Sequence, residues 1–481
     1  MAGVFGDIMG MSLDELSEEL IARQPPEAQV MIRLLLAEIK RLTARVAELE
    51  ERLGKTPQNS SLPPSSQHPH AKSLTGKRKS KKQRGGQPGH AKHERPLRPT
   101  DECDDVQRLK PTECRRCGTK LAGCDPAPLR HQVWELPEIK PHVTEYQRHR
   151  LRCQHCGETT CAPLPPGVPE GQSGPRLVAF TGLLMAYFRQ SKRRTALFLE
   201  AILNQPCCPA LTVKMQNQVT AALRAPYEEL VGQLPAQAQL SMDESPTRQG
   251  SVKAWLWTAV AGAFTVFGVR LSREATLLDE WLQGTFTGVL TCDRAKMYWS
   301  QGRLQWCWAH LKRDFQALLD APDGQVQRLG RDLMRPTRAL FRHWARYRDG
   351  TLTRVGWLRL MRPIRAEIDA LLLRGKCSGN DRLYGMCREL HDHRAWLWTF
   401  LDVAEIEPTN NVSERALRHA VIWRKLSFGT QSAAGSRFVE TTLTTIETCR
   451  QQRRNVFDYV TQAVAAHFAS QPSPWLLPKT P

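Results

Sequence analysis

Two short apolar runs, each ending in an aspartate, constrain this chain more than any other feature. The runs end at Asp243 and Asp293, and a third stretch places Glu414 near the start of a predicted helix. An apolar run of this kind predicts a buried strand whose carboxylate emerges at the edge of a sheet. Two such aspartates with a helical glutamate above them would make an oxygen-rich pocket that suits Mg²⁺. Taken singly, each is one of 48 acidic residues, so the interpretation depends on their combined placement.

The charge balance favours a polyanionic partner. The 481 residues include 68 Lys and Arg against 48 Asp and Glu, a net charge of +20. Such an excess indicates nucleic acid ahead of a membrane surface. The acidic N-terminus lacks the pattern of a signal peptide, and the longest apolar stretch, Leu177–Phe188, is too short to span a bilayer. We therefore predict a cytoplasmic protein with no membrane partner, long enough for about three domains.

A heptad repeat occupies the N-terminal region. Apolar residues alternate at spacings of three and four, at Ile32, Leu35, Ile39, Leu42, Val46, Leu49 and Leu53. β-Branched residues at most a positions, with Leu at every d position, favour a parallel two-stranded coiled coil. The repeat thus predicts a homodimer or a higher assembly. The alternative is one amphipathic helix that packs on its own domain.

A basic tract follows the repeat. Residues 71–98 carry ten Lys and Arg against one Glu and too little apolar material to fold alone. The tract predicts a disordered arm that binds DNA phosphates with strong salt dependence. The alternative is a solvated linker. The candidate DNA-binding residues of the arm are Lys77, Arg78, Lys79, Lys81, Lys82 and Arg84.

Two C-x-x-C pairs, each followed by Gly, are typical of zinc knuckles. The pairs are Cys114 with Cys117 and Cys153 with Cys156. Four thiolates suit one structural Zn²⁺, and the Gly lets backbone N–H groups approach the sulfurs. Between the pairs, His131–Tyr146 alternates like strands and would form the body of a zinc ribbon. A redox dithiol pair is the alternative interpretation.

Three predicted helices follow, over 175–189, 193–203 and 211–223. Short basic helices joined by tight turns are similar to a helix-turn-helix unit, with Thr212–Arg224 as recognition helix. A plain helical linker is the alternative.

From residue 239 the predicted order is β-β-β-α-β-α-β-α with three antiparallel strands first, which is the order of an RNase H-like fold. In that fold the carboxylates lie on adjacent central strands.

The resulting fold class is multidomain α/β. It has an RNase H-like mixed-sheet core with an α-helical insertion, preceded by a coiled coil, a zinc ribbon and helix-turn-helix-like helices. We predict eight segments: an N-terminal helix with a leucine-zipper coiled coil (1–54), a basic disordered arm (55–100), a zinc-binding domain (101–170), helix-turn-helix-like helices (171–236), the first part of the core (237–320), a helical insertion (321–405), the catalytic helix and core completion (406–460) and a C-terminal tail (461–481).

Several motifs in order give the chain a resemblance to a known family. They are Asn59-Ser-Ser-Leu-Pro-Pro-Ser-Ser66, Gly85-Gly-Gln-Pro-Gly-His90, the two Cys pairs, Met242-Asp-Glu-Ser-Pro246, Leu290-Thr-Cys-Asp293, Cys307-Trp-Ala-His-Leu-Lys-Arg313, Asn410-Asn-Val-Ser-Glu-Arg-Ala-Leu-Arg418, Arg424-Lys425, Ile446-Glu-Thr448 and Trp475-Leu-Leu-Pro478. From about residue 30 onward the chain resembles the bacterial insertion-sequence DDE transposases of the sixty-six family (IS66).

The resemblance implies a DNA transposase that recognises the terminal inverted repeats of its own element. Such enzymes hydrolyse the bond at the element's 3′ end and use the freed 3′-OH to attack target DNA. Asp243, Asp293 and Glu414 would be the catalytic triad, holding two Mg²⁺ or Mn²⁺ ions per active site. Relatives work in the bacterial cytoplasm on nucleoid DNA, commonly with accessory proteins encoded beside them.

Residues near the triad receive roles from their chemistry. Four cations on or just after the Glu414 helix would hold the flanking phosphates: Arg415, Arg418, Arg424 and Lys425. Asn410 and Asn411 would cap that helix through a side-chain oxygen. Arg294 departs from the small residue usual in the family after the second Asp. Two other functions stay open, a sequence-specific DNA-binding protein without catalysis and a nuclease that cuts without joining.

Overall fold

The computed structural model describes residues 21–56, 59–60 and 95–477. The chain divides into two compact units, which are described separately. The main unit comprises 1–69, 146–197 and 207–481, and the small unit comprises 70–145 and 198–206. The predicted arm residues Lys77 to Arg84 lie outside the described residues, so their DNA-binding role stays a prediction.

The N-terminal heptad forms a long helix of the main unit, α1 (Pro26–Gly54). Its apolar stripe is turned to solvent: Leu35, Ile39, Leu42, Val46 and Leu49 are all exposed. An apolar stripe of this length is costly to leave in water, which agrees with the predicted partner helix. The coiled coil itself stays a prediction.

One antiparallel hairpin and one five-stranded mixed sheet contain the strands described in the main unit. A short hairpin pairs β1 (Arg150–Arg152) with β2 (Thr159–Cys161). The five-stranded sheet contains β3 (Gln239–Gln249), β4 (Val252–Val260), β5 (Thr265–Arg270), β6 (Val289–Cys292) and β7 (Arg303–Trp306), in the order β5-β4-β3-β6-β7. β3, β4 and β5 are antiparallel neighbours, whereas β6 and β7 run parallel to β3.

The central strand β3 is longer than the sequence predicted. The apolar run ends at Asp243, but β3 continues to Gln249 because β4 pairs with it from Ser241, opposite Val260, to Gln249, opposite Val252. Asp243 therefore lies inside a strand. It occupies the point where the parallel partner β6 has ended.

One helix covers the edge of the sheet through its side chains. This helix, α12 (Ala433–Gln451), presents residues at spacings of four to alternate N–H groups of β5. Thr448 Oγ1 accepts from the Thr265 N–H at 3.2 Å, Thr444 Oγ1 from Phe267 at 2.9 Å, and Glu440 Oε1 from Val269 at 2.6 Å. Side chains four residues apart on the helix therefore reach N–H groups two residues apart on the strand. Edge N–H groups that would otherwise recruit another strand are satisfied.

Helices before and after the sheet pack together. They are α2 (Pro175–Ala186), α4 (Pro209–Gly232) and α13 (Val456–Phe468). α3 (Lys192–Leu203) lies between α2 and α4 in the chain, and α5 (Thr276–Leu282) lies between β5 and β6. α4 buries Met215, Val219 and Leu223, and a Cβ at Gly182 of α2 would meet Val219 Cγ2 at 2.8 Å. One face of the predicted recognition helix is therefore core, and DNA binding by its other face stays a prediction.

A group of helices separates β7 from the Glu414 helix. They are α6 (Trp308–Leu319), α7 (Gly324–Arg348), α8 (Arg354–Lys376), α9 (Asp381–Asp392) and α10 (Ala395–Asp402). Trp357 and Trp398 are fully buried, as expected for core aromatics. α10 is bonded to β7: Thr399 Oγ1 donates to the Leu304 carbonyl at 2.6 Å, and Phe400 N–H donates to Gln305 Oε1 at 2.8 Å.

The small unit contradicts one prediction. No strand forms over His131–Tyr146, which runs as irregular chain. Pro137 and Pro141 interrupt the alternation, and a proline has no N–H to donate to a strand partner. Val133 and Leu136 stay 80% and 83% exposed, so the alternation does not mark a buried face. Of the helices that can be described in either unit, none has the length and apolarity needed to cross a membrane.

Candidate active site

The two aspartates occupy equivalent positions on neighbouring parallel strands. The last paired residues of β3 and β6 are Ser241 and Thr291. Asp243 and Asp293 each lie two residues further along, so the strand register brings them to the same level. The Asp293 carboxylate accepts a hydrogen bond from the Ala295 N–H at 2.8 Å, which fixes it in the turn after β6. The sequence prediction that both carboxylates emerge together is consistent with this register.

The Glu414 helix, α11 (Asn411–Ser427), lies across β3 and β4. It buries Ala416, Leu417 and Ala420 against Leu256 of β4 and Leu443 of α12. Because successive strand residues point to opposite faces, Asp243 shares the face of its cross-strand partner Thr258 and of Leu256. That face is the one covered by α11, so Asp243 points toward the helix that carries Glu414.

Asn410 joins this helix to the strand that carries Asp243. Its Nδ2 donates to the Met242 carbonyl at 2.6 Å, and its backbone N–H donates to Cys307 Sγ at 3.1 Å. The prediction that Asn410 caps α11 through its side chain is therefore wrong: it occupies the N-cap position but makes no cap hydrogen bond. The side chain instead supplies a donor to the buried carbonyl of Met242.

Further backbone bonds bring the site segments together. Cys307 N–H donates to the Cys292 carbonyl at 2.9 Å, next to Asp293. Trp308 N–H donates to the Pro408 carbonyl at 2.9 Å, which holds the loop before α11 against the start of α6. The ends of β6 and β7 and the starts of α6 and α11 thus meet beside Asp243.

The site concentrates negative charge. Burial raises the pKa of Asp243 well above its usual value, and the nearby charges of Glu244, Asp293 and Glu414 raise it further. Repulsion of this kind means that the carboxylates lie close enough to influence one another, and a cation among them would relieve it.

Glu244 is a fourth acidic residue that the sequence analysis did not assign to the site. It lies on the opposite face of β3 from Asp243, and its side chain is only 3% exposed. The Tyr298 hydroxyl donates to its carboxylate at 2.6 Å, and Arg273 Nε donates at 2.9 Å. Burial, followed by the charge of Asp293, raises its pKa. Its position directly after Asp243, inside the Met242–Pro246 motif, is the sequence feature that could have indicated its place near the site.

Arg313 of α6 pairs with Glu414, and His310 of the same helix lies nearby. The Glu414 carboxylate accepts from Arg313 Nη2 at 3.2 Å, and His310 Nε2 lies 3.7 Å away. Burial, together with the charge of Arg313, lowers the pKa of His310. Among the described residues, His310 Nδ1 and Asn410 Oδ1 are buried polar atoms without a hydrogen-bond partner. The site therefore retains unused hydrogen-bonding capacity.

Arg294 has a structural role in this chain. Its guanidinium donates to Asp314 of α6 at 2.8 Å and to Glu389 of α9 at 2.7 Å. The bulky residue after Asp293 thus bonds the site turn to the helical insertion. Its side chain is committed to these two carboxylates.

The candidate phosphate-binding cations of α11 differ in their surroundings. Arg415, Arg418 and Lys425 are exposed. Arg424 is half-buried, which lowers its pKa, and it donates to Ser245 Oγ at 3.0 Å and to the Pro246 carbonyl. Arg424 thus attaches α11 to β3, and the phosphate-binding role of all four residues stays a prediction.

The donor set suits hard divalent cations. Asp243, Asp293 and Glu414 offer only carboxylate oxygens, the ligand type that Mg²⁺ and Mn²⁺ prefer. Across the described parts of the chain, no three His, Cys, Asp or Glu side chains converge closely enough to hold a metal ion. Glu414 is paired with Arg313 instead. The carboxylate oxygens of these residues fit such a cation. The three side chains do not converge in this structure, in which Glu414 pairs with Arg313.

Both Cys pairs form the same tight turn, each within its own unit. Gly118 N–H donates to the Cys114 carbonyl at 2.9 Å, and Gly157 N–H donates to the Cys153 carbonyl at 2.9 Å. Both glycines have positive φ, +72° and +76°. A hydrogen bond with Thr119 is the largest of several that lower the pKa of Cys117 to about 7, and backbone hydrogen bonds from Cys156 and His155 lower that of Cys153. Thiolates stabilised in this way suit a metal.

Comparison with known proteins identifies the family. The model described as "Transposase IS66 family" matches residues 171–437, and a family of unknown function (DUF6444) matches residues 17–96. An uncharacterized protein of Sinorhizobium fredii, y4qI, is 26% identical over 245 residues, which cover 46% of this chain and 45% of that protein. The family match spans the sheet, the helical insertion and the helix of Glu414. The chain belongs to the IS66 family of transposases.

Proposed function

We propose that this transposase cleaves the 3′ ends of its insertion sequence and joins them to target DNA, using Asp243, Asp293 and Glu414. The observation that carries the proposal is the equal register of the two aspartates on parallel strands, with the start of the Glu414 helix bonded beside them through Asn410. The charges of Asp293 and Glu414, from segments far apart in sequence, both raise the pKa of Asp243, and a bound cation would relieve that repulsion.

The core is proposed to be RNase H-like. The strand order β5-β4-β3-β6-β7 supports it, with three antiparallel strands followed by two that run parallel to β3. The position of α11 over the central strands and the helices inserted between β7 and α11 also agree with the predicted core and insertion. The boundaries of the eight predicted segments are retained as part of the proposal.

Each residue of the site has a task in the proposed chemistry. Asp243, Asp293 and Glu414 would hold two Mg²⁺ or Mn²⁺ ions, which supply activation of the attacking oxygen and stabilisation of the leaving oxygen. Water would break the bond between phosphorus and the 3′ oxygen at the element end. The released 3′-OH would then attack a target phosphorus and displace a target 3′ oxygen. Exposed Arg415, Arg418 and Lys425, with Arg424, would hold the phosphates in place.

Arg313 and His310 have a proposed part in the same steps. Arg313 pairs with Glu414 in this structure; with metal and DNA bound, the cation would become the partner of Glu414 and a phosphate the partner of Arg313. A guanidinium released from Glu414 would be placed to bind a non-bridging phosphate oxygen. The unused Nδ1 of His310 offers a second hydrogen bond from the same helix.

Several predicted partners remain part of the proposal. The exposed stripe of α1 would form a two-stranded coiled coil with a second copy of the chain, and higher assemblies would build on it. The basic arm and α4 would bind the element ends, and accessory transposition proteins would join the complex, in the bacterial cytoplasm on nucleoid DNA.

Each Cys pair would supply two thiolates to one structural Zn²⁺ per chain. Metal analysis of Cys114→Ser beside Cys208→Ser tests this, with zinc lost only from the first.

Two other functions are distinguished by one experiment. A DNA-binding protein without catalysis is the second candidate, favoured by the ion pair between Glu414 and Arg313. A nuclease that cuts without joining is the third. Nicking and joining of DNA from the flanks of the gene, with Mg²⁺ or Mn²⁺, separates all three. The matched variants are Glu414→Gln and Glu389→Gln, since both glutamates are partly exposed and paired with an arginine.

The expected outcomes differ clearly. We expect cleavage and joining by the wild type and by Glu389→Gln, and neither by Glu414→Gln, which should still bind DNA. Binding without cleavage by any of the three proteins would favour the DNA-binding protein. Cleavage without joining by the wild type would favour the nuclease.

A further inference from the structure

Phe428, immediately after the Glu414 helix, presents an aromatic ring to solvent. Its residue is 81% exposed, and its backbone has a φ of +58°, in the left-handed region. Bulky residues rarely adopt that conformation. Leu426 is 62% and Ile422 is 38% exposed beside it in the sequence. An apolar group of this kind at a helix end indicates a contact surface.

The turn that carries the ring is bonded to the far end of β3. Thr430 N–H donates to the Arg248 carbonyl at 2.9 Å, and Gly250 N–H donates to the Thr430 carbonyl at 2.7 Å. Gly429 approaches the Arg248 backbone so closely that a Cβ there would overlap it. Arg424 holds the last turn of the helix to Ser245. The ring is therefore presented on a rigid support, which lowers the entropy lost on binding.

The two chain segments that form the turn are basic. No acidic residue occurs between Glu414 and Glu440, whereas five arginines and lysines do, and the adjoining segment 245–252 also lacks acidic residues. Lys425, three residues before Phe428, is exposed, and so is Arg248, whose carbonyl accepts from the Thr430 N–H. Cations that flank a rigid aromatic ring match a nucleic acid strand, whose bases stack on the ring while its phosphates meet the cations.

We propose that Phe428 stacks on an unpaired base of the DNA strand held by α11, with Lys425 on the adjoining phosphate. This rests on the proposed function, because the same helix carries Glu414. Along α11 the two residues are about 20 Å apart at 1.5 Å per residue. At about 3.4 Å per nucleotide the stacked base lies about six nucleotides from the cleaved bond. The surface therefore binds DNA that flanks the cut, opened or already single-stranded.

The test measures binding to two forms of DNA. A fluorescein-labelled 20-nucleotide oligothymidine and a 20-base-pair duplex are titrated with the full chain at one fixed salt concentration. Phe428→Gly should bind the single strand about tenfold more weakly, since base stacking on an aromatic ring is worth about 1–3 kcal/mol and 1.4 kcal/mol is tenfold. Its duplex affinity should change less than about twofold. Phe428→Trp should bind the single strand at least as tightly as the wild type.

Two controls separate a binding role from a structural one. Glycine adopts positive φ without strain, so Phe428→Gly should melt at the same temperature as the wild type or higher. Tyr384→Ala removes another exposed aromatic that lies beside a cation, Arg388, and should leave single-strand affinity unchanged. Lys425→Gln should weaken binding to both DNA forms and reduce the salt dependence of binding by about one charge.

Two results would overturn the inference. One is single-strand affinity in Phe428→Gly equal to that of the wild type. The other is loss of self-association in that variant, measured by light scattering, with DNA binding unchanged, since the surface would then be a contact between copies of the chain. Failure of the wild type to nick flank DNA while Phe428 still governs single-strand binding would instead count against the proposed catalysis and support the stacking site.

Discussion

Asn410 Nδ2 donates a hydrogen bond of 2.6 Å to the carbonyl oxygen of Met242. The residue that begins the Glu414 helix is therefore bonded directly to the residue before Asp243. Both residues are fully buried. A single side chain thus sets the spacing between two of the three proposed catalytic carboxylates.

Replacing that side chain should affect stability and cleavage together. Asn410→Ala leaves a buried carbonyl without its donor, which costs about 1–3 kcal/mol in the free energy of unfolding. A displacement of Glu414 by about 1 Å should slow cleavage about a hundredfold. Urea denaturation and nicking of flank DNA measure the two effects. Asn411→Ala, at the next position, should change stability by less than about 0.5 kcal/mol and leave cleavage intact. Equal effects of the two variants would contradict the role assigned to Asn410.

The raised pKa of Asp243 predicts how stability depends on pH without divalent metal. The folded state holds this proton more tightly than the unfolded chain does. The associated stability is fully present below the ordinary Asp pKa of about 3.9 and is lost as the pH rises through the raised folded value. Asp243→Asn should therefore melt higher than the wild type in EDTA at about pH 7–8, by an amount that shrinks toward about pH 4.

An aspartate whose pKa is lowered in the folded state provides the control for the direction of this effect. Hydrogen bonds from Thr351 lower the pKa of Asp349, so Asp349→Asn should not raise the melting temperature at neutral pH. Added Mg²⁺ should stabilise the wild type and leave Asp243→Asn unchanged. A wild type as stable as Asp243→Asn across the whole pH range would exclude the repulsive pocket.

The side chains of α12 on the sheet edge make a third prediction. Thr444→Val leaves the Phe267 N–H without its acceptor, which should cost about 1–3 kcal/mol. Thr445→Val, one position further on the same helix and equally buried, removes only a hydroxyl that donates to the Thr441 carbonyl. It should cost less than about 1 kcal/mol. Urea denaturation measures the free energy of unfolding of both variants. Similar losses of stability in the two would mean that the hydrogen bond from the Phe267 N–H to Thr444 makes no specific contribution.

Neighbouring leucines of α1 test the proposed dimer. Leu35 occupies a d position of the heptad and Leu34 does not, yet both are exposed, at 57% and 66%. Leu35→Asp buries a charge in a two-stranded coiled coil and should convert the protein to a monomer, measured by light scattering. Leu34→Asp should remain a dimer. A wild type that is already monomeric at micromolar concentration would remove the coiled coil from the account.

Sequence patterns predicted the five strands of the sheet, because burial on a sheet imposes a period of two on the sequence. The helix predicted between the fourth and fifth strands is absent, since only a 3-10 turn, Lys296–Tyr298, lies there. The patterns also missed the continuation of β3 to Gln249, since its length depends on pairing with β4 across a turn. The alternation of apolar and polar residues over His131–Tyr146 wrongly predicted strands, because its two prolines have no N–H to donate to a neighbouring strand. The roles of Asn410 and Glu244 depend on partners distant in sequence, Met242 and Tyr298, and no local pattern reveals such partners.

The central claim is that three distant segments share one divalent metal site. Fe²⁺ in place of Mg²⁺, with ascorbate and peroxide, generates hydroxyl radicals that cut the backbone close to the bound ion. The prediction is backbone cleavage near residues 243, 293 and 414 in the same sample, competed by Mg²⁺ and lost in Asp243→Asn but not in Glu389→Gln. Cleavage at other positions only, or an unchanged pattern in Asp243→Asn, would contradict the account.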